Sequence, residues 1–218
     1  MTERPMIFNS EMVRAILDGR KTQTRRPIKF PFKDRNLGCE LSGNELAGEL
    51  YSGNYLNSPF GKPGERIWVR ETFQGPLFDF DQMDAYCKDS APFEKPQFCV
   101  YKADGKPAPE FFDADDNLHC CWRPSIHMPR WASRILLEIT DVRVERLNCI
   151  TEESAQAEGV AKLREGFWKH YQPGWTQHQL SARGSFVTLW KSIYGEENWQ
   201  ANPWVWVVEF KRVEGSAV

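Results

Sequence analysis

The sequence lacks long hydrophobic runs and has few cysteines, and these two absences exclude whole classes of protein. No stretch approaches the ~20 apolar residues that a membrane-spanning helix needs, and residues 1–10 contain no apolar core of a signal peptide. The six cysteines are too sparse and too irregularly spaced for a disulfide framework in 218 residues. We therefore predict a cytoplasmic protein with reduced thiols and no membrane association.

Net charge and cofactor motifs are also scarce. The formal net charge is −2 and the pI is about 6.1, which excludes a histone-like polycation, so any contact with nucleic acid must be local. The chain has no Gly-rich phosphate loop after a strand and no G-x-S-x-G nucleophile motif. His119, Cys120 and Cys121, with His127 nearby, lack the spacing of a structural zinc site. We predict neither a metal ion nor an organic cofactor.

What the sequence does contain is a set of long strands and a few separated helices. Hydrophobic periodicity and capping residues predict three helices, which end at Gly19, Gly159 and Gly195. Runs of β-forming residues predict strands at 65–73, 135–147 and 203–213, with a hairpin around 97–102. This pattern favours an α+β fold, mainly β, built as a small closed or nearly closed β-barrel with attached helices.

One domain over residues 1–218 fits the length and the hydrophobic content of 41%. Residues 33–63 are rich in Gly, Asn, Ser and Pro and are expected to form an irregular loop. Residues 79–116 contain ten acidic residues against four lysines. This acidic segment is expected to be an insertion in the domain, and its charge makes it unsuitable for binding phosphate.

Residues 19–26 are the most informative segment, because they read G-R-K-T-Q-T-R-R and contain four cations and no acid. Such a cluster indicates a site for an anionic or electron-rich ligand. A threonine such as Thr24 is a poor nucleophile until a base takes its proton, and Lys21 can be that base if burial or neighbouring cations lower its pKa. Thr24 and Arg26 would share one face of an extended segment. The alternative is a basic, solvated turn that includes a β-forming threonine.

Glu158 is a second candidate, since it lies at the C-terminal end of a predicted helix, where the helix dipole disfavours a carboxylate. An acid in that position is well solvated, paired with a cation, or kept partly protonated for proton transfer.

The segment 122–134 contains three arginines, one histidine and no acid. Trp131 is a candidate for stacking on a base, and Arg130 and Arg134 are candidate donors to a phosphate or carbonyl oxygen. The alternative is that Trp131 and Ile135 fill the interior of the barrel.

These residues together resemble a known family. Gly19, Lys21, Thr24 and Arg26 fit the pattern G-x-K-x-x-[TE]-x-R, the signature of ASCH domains, which have a PUA-like β-barrel fold. The resemblance continues in order along the chain, at residues 64–69, 150–158, 189–194 and 206–210. In appearance the sequence is most similar to phage- and prophage-type ASCH proteins.

The resemblance implies an enzyme activity. A small bacterial member of this fold removes the acetyl group from N4-acetylcytidine, although it lacks the 33–63 and 79–116 segments. Its catalytic residues correspond here to Lys21 as proton acceptor, Thr24 as nucleophile and Glu158 as proton donor. Arg26 would position the base or stabilise the oxyanion. We therefore expect an amidohydrolase acting on an N4-acylated cytosine nucleoside or nucleotide.

Two other activities stay open, because other ASCH proteins bind RNA or DNA and at least one is a ribonuclease. In the first alternative the chain binds nucleic acid and holds a modified or flipped base, with Arg130, Trp131 and Arg134 in contact with it. The ribonuclease alternative has less support, since the sequence shows no evident pair of catalytic histidines.

Overall fold

A computed structural model of the chain describes residues 2–112 and 117–213. Within these residues the protein has a mixed α+β fold. The α-helices are α1 Ser10–Leu17, α2 Gly43–Tyr51, α3 Met83–Lys88, α4 Glu152–Ala157, α5 Ala182–Tyr194 and α6 Glu196–Gln200. The strands are β1 Glu3–Ile7, β2 Gln23–Pro27, β3 Phe32–Lys33, β4 Glu40–Leu41, β5 Arg66–Arg70, β6 Phe73–Gln74, β7 Val100–Tyr101, β8 Glu110–Phe112, β9 Leu118–Cys120, β10 Leu136–Arg146 and β11 Trp204–Arg212.

The largest sheet has five strands in the order β1-β5-β10-β11-β2. β1 runs parallel to β5, and β11 runs antiparallel to β2. Three further sheets are two-stranded, namely β3-β4, β6-β7 and β8-β9. Over residues 2–112 and 117–213 no pairing joins β1 to β2, so the five-stranded sheet is open in this part of the chain. The closed or nearly closed β-barrel predicted from the sequence is therefore not confirmed.

The chain divides into two compact units. The described part of the first comprises residues 2–14, 66–112, 117–137 and 212–213. A hydrophobic cluster in this unit is formed by Phe73, Tyr101, Met128 and Ala132.

The second unit comprises residues 15–65 and 138–211. Its hydrophobic cluster joins α4, α5 and β11, with Phe186, Trp190 and Val207 each at most 2% exposed. Helix α4 begins where the sequence predicts, because the Thr151 hydroxyl accepts a hydrogen bond from the backbone N–H of Ser154. This helix and β2 position the residues of the candidate site.

Residues 33–63, which the sequence predicts as an irregular loop, contain α2, β4 and the last residue of β3, with which β4 pairs. Ser42 and Glu45 form a capping box at the start of α2: Ser42 N donates to Glu45 Oε2 over 2.7 Å, and Glu45 N donates to Ser42 Oγ over 3.4 Å. Leu46 and Leu50 bury one face of the helix. The loop prediction is wrong, because these local signals outweigh the Gly- and Asn-rich composition.

The acidic segment 79–116 contains α3 and several short 3₁₀ turns. The hairpin predicted around 97–102 is wrong, since β7 pairs with β6 and not with its sequence neighbours. A strand pair does occur later, between β8 and β9. Residues 113–116, with three of the segment's ten acids, lie outside the described residues. No helix within the described ranges is long and apolar enough to span a bilayer.

Candidate active site

Glu158 lies at the C-terminal cap of α4, as the sequence predicts, and it is 4% exposed. Its carboxylate accepts hydrogen bonds from Lys21 Nζ at 3.0 Å, from Arg25 Nη1 at 3.1 Å and from Gln23 Nε2 at 3.4 Å. Of the three alternatives for this acid, the structure shows pairing with cations. These bonds offset the unfavourable position at the end of the helix dipole.

Lys21 meets Glu158 through the backbone as well as through the side chain, because the two residues form an isolated antiparallel β-bridge. Lys21 Nζ donates to Gln23 O at 2.7 Å, to Glu158 O at 2.9 Å and to Glu158 Oε2. The ammonium group thus has an acceptor for each of its three protons. Lys21 is 2% exposed, so the solvated turn considered as an alternative does not describe this residue.

Burial lowers the pKa of Lys21 below its ordinary value of 10.5. The attraction and the hydrogen bond of Glu158 oppose this shift, whereas the positive charges of Arg26 and Arg25 add to it. A lysine whose pKa is lowered loses its proton more readily and is better suited to act as a base.

Gln23 and Arg25 were not predicted as site residues. They alternate with Thr24 along β2, and both side chains reach Glu158, so they lie on the same face of the strand. Arg25 also donates to Glu145 Oε1 at 2.5 Å. Their spacing of two residues from each other and from Lys21 could have indicated a shared face. Using that spacing would have required knowing that a strand begins at residue 23.

Thr24 and Arg26 lie on the opposite face of β2 from Gln23 and Arg25, as the alternation of a strand requires. Thr24 is 2% exposed and pairs in register with Val208, whereas Arg26 is half-buried. The hydrogen bonds of the described residues include none from the Thr24 hydroxyl to Lys21 or Glu158. The structure therefore joins Lys21 to Glu158 by a hydrogen bond, whereas Thr24, three residues after Lys21, makes no hydrogen bond to either of them among the described residues.

Gly159 leaves no room for a side chain beside Lys21, since its φ is +85° and a Cβ there would lie 2.6 Å from Lys21 Cβ. We expect Gly159→Ala to lower the free energy of unfolding by about 3 kcal/mol, because left-handed strain and overpacking add. Gly174→Ala is a matched control, with φ +79° and no atom within 4 Å of the new Cβ. Urea unfolding of both variants tests this, and equal losses of stability would contradict the steric argument.

The three substrate-binding residues predicted from the segment 122–134 belong to the other unit, where each has partners of its own. Arg134 donates to Glu71 and to Asp104, and its guanidinium lies 3.9 Å from the centroid of the Tyr101 ring. Glu71 is 1% exposed, and burial raises its pKa although Arg134 opposes the shift. The ion pair with this buried carboxylate gives Arg134 a structural role in its unit.

Trp131 and Arg130 differ in exposure. Trp131 packs, partly buried, against the hydrophobic cluster of the first unit. Arg130 donates to Glu3 Oε2 at 2.7 Å, and its side chain is 43% exposed.

Comparisons with known proteins do not assign this chain to a family. The sequence matches no protein-family model, no curated protein and no solved structure. Over residues 2–112 and 117–213, no three His, Cys, Asp or Glu side chains are close enough together to hold a metal ion. The chemistry of Lys21, Glu158 and their neighbours is therefore the basis for inferring a function.

Proposed function

We propose that the chain is an ASCH-type amidohydrolase with a PUA-like fold, which hydrolyses the amide of an N4-acylated cytosine nucleoside or nucleotide. Its catalytic residues are Lys21, Thr24 and Glu158. The observation that carries the proposal is the buried 3.0 Å hydrogen bond between Lys21 Nζ and Glu158 Oε2. A base and an acid joined in this way can exchange the proton that amide hydrolysis needs.

The pair of Lys21 and Glu158 can react only when the shared proton lies on Glu158 and Lys21 is a neutral amine. In the ion-pair form Lys21 is an ammonium group and Glu158 is a carboxylate. Moving one proton along their hydrogen bond gives a neutral amine and a carboxylic acid, with no change in the net charge of the site. The three acceptors around Lys21 Nζ hold the ion-pair form at rest, and burial, which lowers the pKa of Lys21, reduces the free energy needed to reach the neutral form.

In the first half-reaction the neutral Lys21 takes the hydroxyl proton of Thr24 as Oγ1 attacks the acyl carbon. Glu158 then gives its proton to N4 of cytosine as the C–N bond breaks. The products are free cytidine and an acyl ester on Thr24, with an ammonium on Lys21 and a carboxylate on Glu158. This step requires Lys21 Nζ to leave the carbonyl oxygen of Gln23, 2.7 Å away, and to reach the hydroxyl of Thr24, which lies on the opposite face of β2 from Gln23 and Arg25.

In the second half-reaction a water molecule attacks the ester. The Glu158 carboxylate takes a proton from that water, and the Lys21 ammonium returns a proton to Thr24 Oγ1 as the ester bond breaks. Lys21 and Glu158 are then neutral again, and the acid is released. In this proposal Arg26, on the Thr24 face of β2, donates to the oxyanion in both steps.

The proposal is tested by incubating the purified protein with N4-acetylcytidine and measuring cytidine release across pH. We expect a bell-shaped rate profile, because the reactive pair holds one shared proton. Raising the pH removes that proton, so the pair can no longer protonate N4 of cytosine and the rate falls. Because burial lowers the pKa of Lys21, this fall in rate at alkaline pH should have its midpoint below pH 10.5. The absence of cytidine release at every pH would contradict the proposed function.

A second candidate function is binding of RNA or DNA that carries a modified or flipped base. The exposed guanidinium of Arg130 is the observation that favours it. This side chain is 43% exposed, and its guanidinium lies 6.0 Å from the centroid of the Trp68 ring. The alternative predicts salt-dependent binding of RNA that weakens in Arg130→Ala. RNA binding that ignores this substitution would count against it.

A further inference from the structure

Arg25 connects two carboxylates inside the second unit. Its Nη1 lies 3.1 Å from Glu158 Oε1, and its Nη2 lies 2.5 Å from Glu145 Oε1. The Arg25 side chain is 1% exposed, and its Cζ lies 5.8 Å from the centroid of the Phe186 ring. Among the described residues its Nε has no hydrogen-bond partner. The guanidinium is therefore held by the two carboxylates and by packing, at some cost in unsatisfied hydrogen bonding.

The two oxygens of Glu158 have different partners as a result. Oε1 accepts from Arg25 and from Gln23, and Oε2 accepts from Lys21. A carboxyl oxygen that faces two donors has no acceptor to which it could give a proton. A proton exchanged with Lys21 must therefore reside on Oε2.

The geometry points to Arg25 as a positioning residue, which holds Oε1 of Glu158 so that Oε2 stays aligned with Lys21 Nζ. Glu145 completes this arrangement by compensating the charge that Arg25 brings to the pair. The inference rests on the proposed function for its kinetic consequences, but the placement of the charges can be measured without turnover.

The charges around the pair predict opposite effects for two substitutions. Lys21 is influenced by Glu158, Arg25 and Arg26. Arg25→Gln removes a cation, so the pKa of Lys21 should rise. Glu145→Gln leaves the charge of Arg25 uncompensated, so the pKa of Lys21 should fall.

Arg143 does not obscure this comparison. It lies 3.4 Å from Glu145, but it also pairs with Asp141 at 2.8 Å and with Glu209 at 2.6 Å, and these partners stay in the Glu145→Gln protein.

The test is an NMR titration of the Lys21 Cε signal in protein labelled with ¹³C-lysine, assigned with Lys21→Met. We expect the Lys21 pKa to move up in Arg25→Gln, to return towards the wild-type value in Arg25→Lys, and to move down in Glu145→Gln. Glu145 is 24% exposed, so this last variant provides a measurement even if Arg25→Gln does not fold. Shifts of the same sign in both glutamine variants, or no shift in Glu145→Gln, would overturn the assignment of Arg25.

The kinetic readout uses the same variants with N4-acetylcytidine. Arg25→Gln should misplace Glu158 and so lower kcat about 100-fold with little change in KM. The alkaline limb of the pH–rate profile should shift in the same direction as the pKa of Lys21. Partial recovery of kcat in Arg25→Lys supports the inference that the charge of Arg25 positions Glu158. An alkaline limb of the pH–rate profile that lies at the same pH in every variant argues against this inference. If the wild-type protein releases no cytidine, the proposed function is overturned, and the titration alone still decides whether Arg25 sets the charge of the pair.

Discussion

Replacing Thr24 with valine is expected to lower the rate of cytidine release from N4-acetylcytidine by about 10⁶-fold, the scale on which a serine triad responds to the loss of its nucleophile. Valine preserves the shape and the β-forming character of threonine at this buried position of β2. It has no hydroxyl, so no acyl ester can form. Initial rates measured by chromatographic separation of cytidine from its acetylated form check this result.

Two further variants separate the loss of the nucleophile from a general disturbance of the segment. Thr22→Val makes the same chemical change at an exposed position two residues away, and it should leave the rate within about twofold of wild type. Thr24→Ser keeps a hydroxyl and should retain measurable turnover. Undiminished activity in Thr24→Val would show that Thr24 is not the nucleophile, even if the protein proves to be an amidohydrolase.

Lys21 and Glu158, which are 137 residues apart, could each be identified from the sequence as candidate site residues, and the structure joins them by a hydrogen bond. Two local anomalies made this possible: a run of cations without acids, and an acid at the wrong end of a helix. Each anomaly places charge where it is electrostatically unfavourable, so an oppositely charged residue from elsewhere in the chain must offset it. The partner itself could be chosen only through the family resemblance, since neither anomaly says which opposite charge it meets.

The supporting residues could not be predicted in the same way. Assigning Gln23 and Arg25 to the Glu158 face depends on where β2 begins, and a shift of one residue would exchange the two faces of the strand. Glu145 lies on β10, and its contact with Arg25 depends on the tertiary arrangement of β2 and β10. Such long-range pairing is not encoded in local spacing.

Elements with a strong local pattern were predicted better than elements stabilised by tertiary contacts. The long strands β10 and β11 and the helices α4 and α5 follow directly from runs of apolar residues and from capping residues. The two-residue strands β6 and β7 have too few residues to show a period. Their pairing depends on buried Phe73 and Tyr101, which meet 28 positions apart in register, a contact that the sequence alone does not reveal.

Replacing Glu158 with leucine is expected to lower the free energy of unfolding by about 3–5 kcal/mol, the range found when one partner of a buried ion pair is removed. The change leaves the Lys21 ammonium, whose side chain is 0% exposed, without its carboxylate, and it removes one of the two carboxylates bound by Arg25. Chemical denaturation followed by tryptophan fluorescence measures the loss.

The double variant Lys21→Met/Glu158→Leu sharpens this prediction, because it removes both charges and replaces them with apolar groups. It should be more stable than Glu158→Leu alone, since no uncompensated ammonium remains and Arg25 keeps Glu145. Asp18→Ala, which breaks the exposed pair between Asp18 and Arg20, should cost less than about 1 kcal/mol. If the double variant is no more stable than Glu158→Leu, the buried lysine is not what makes the loss of Glu158 costly.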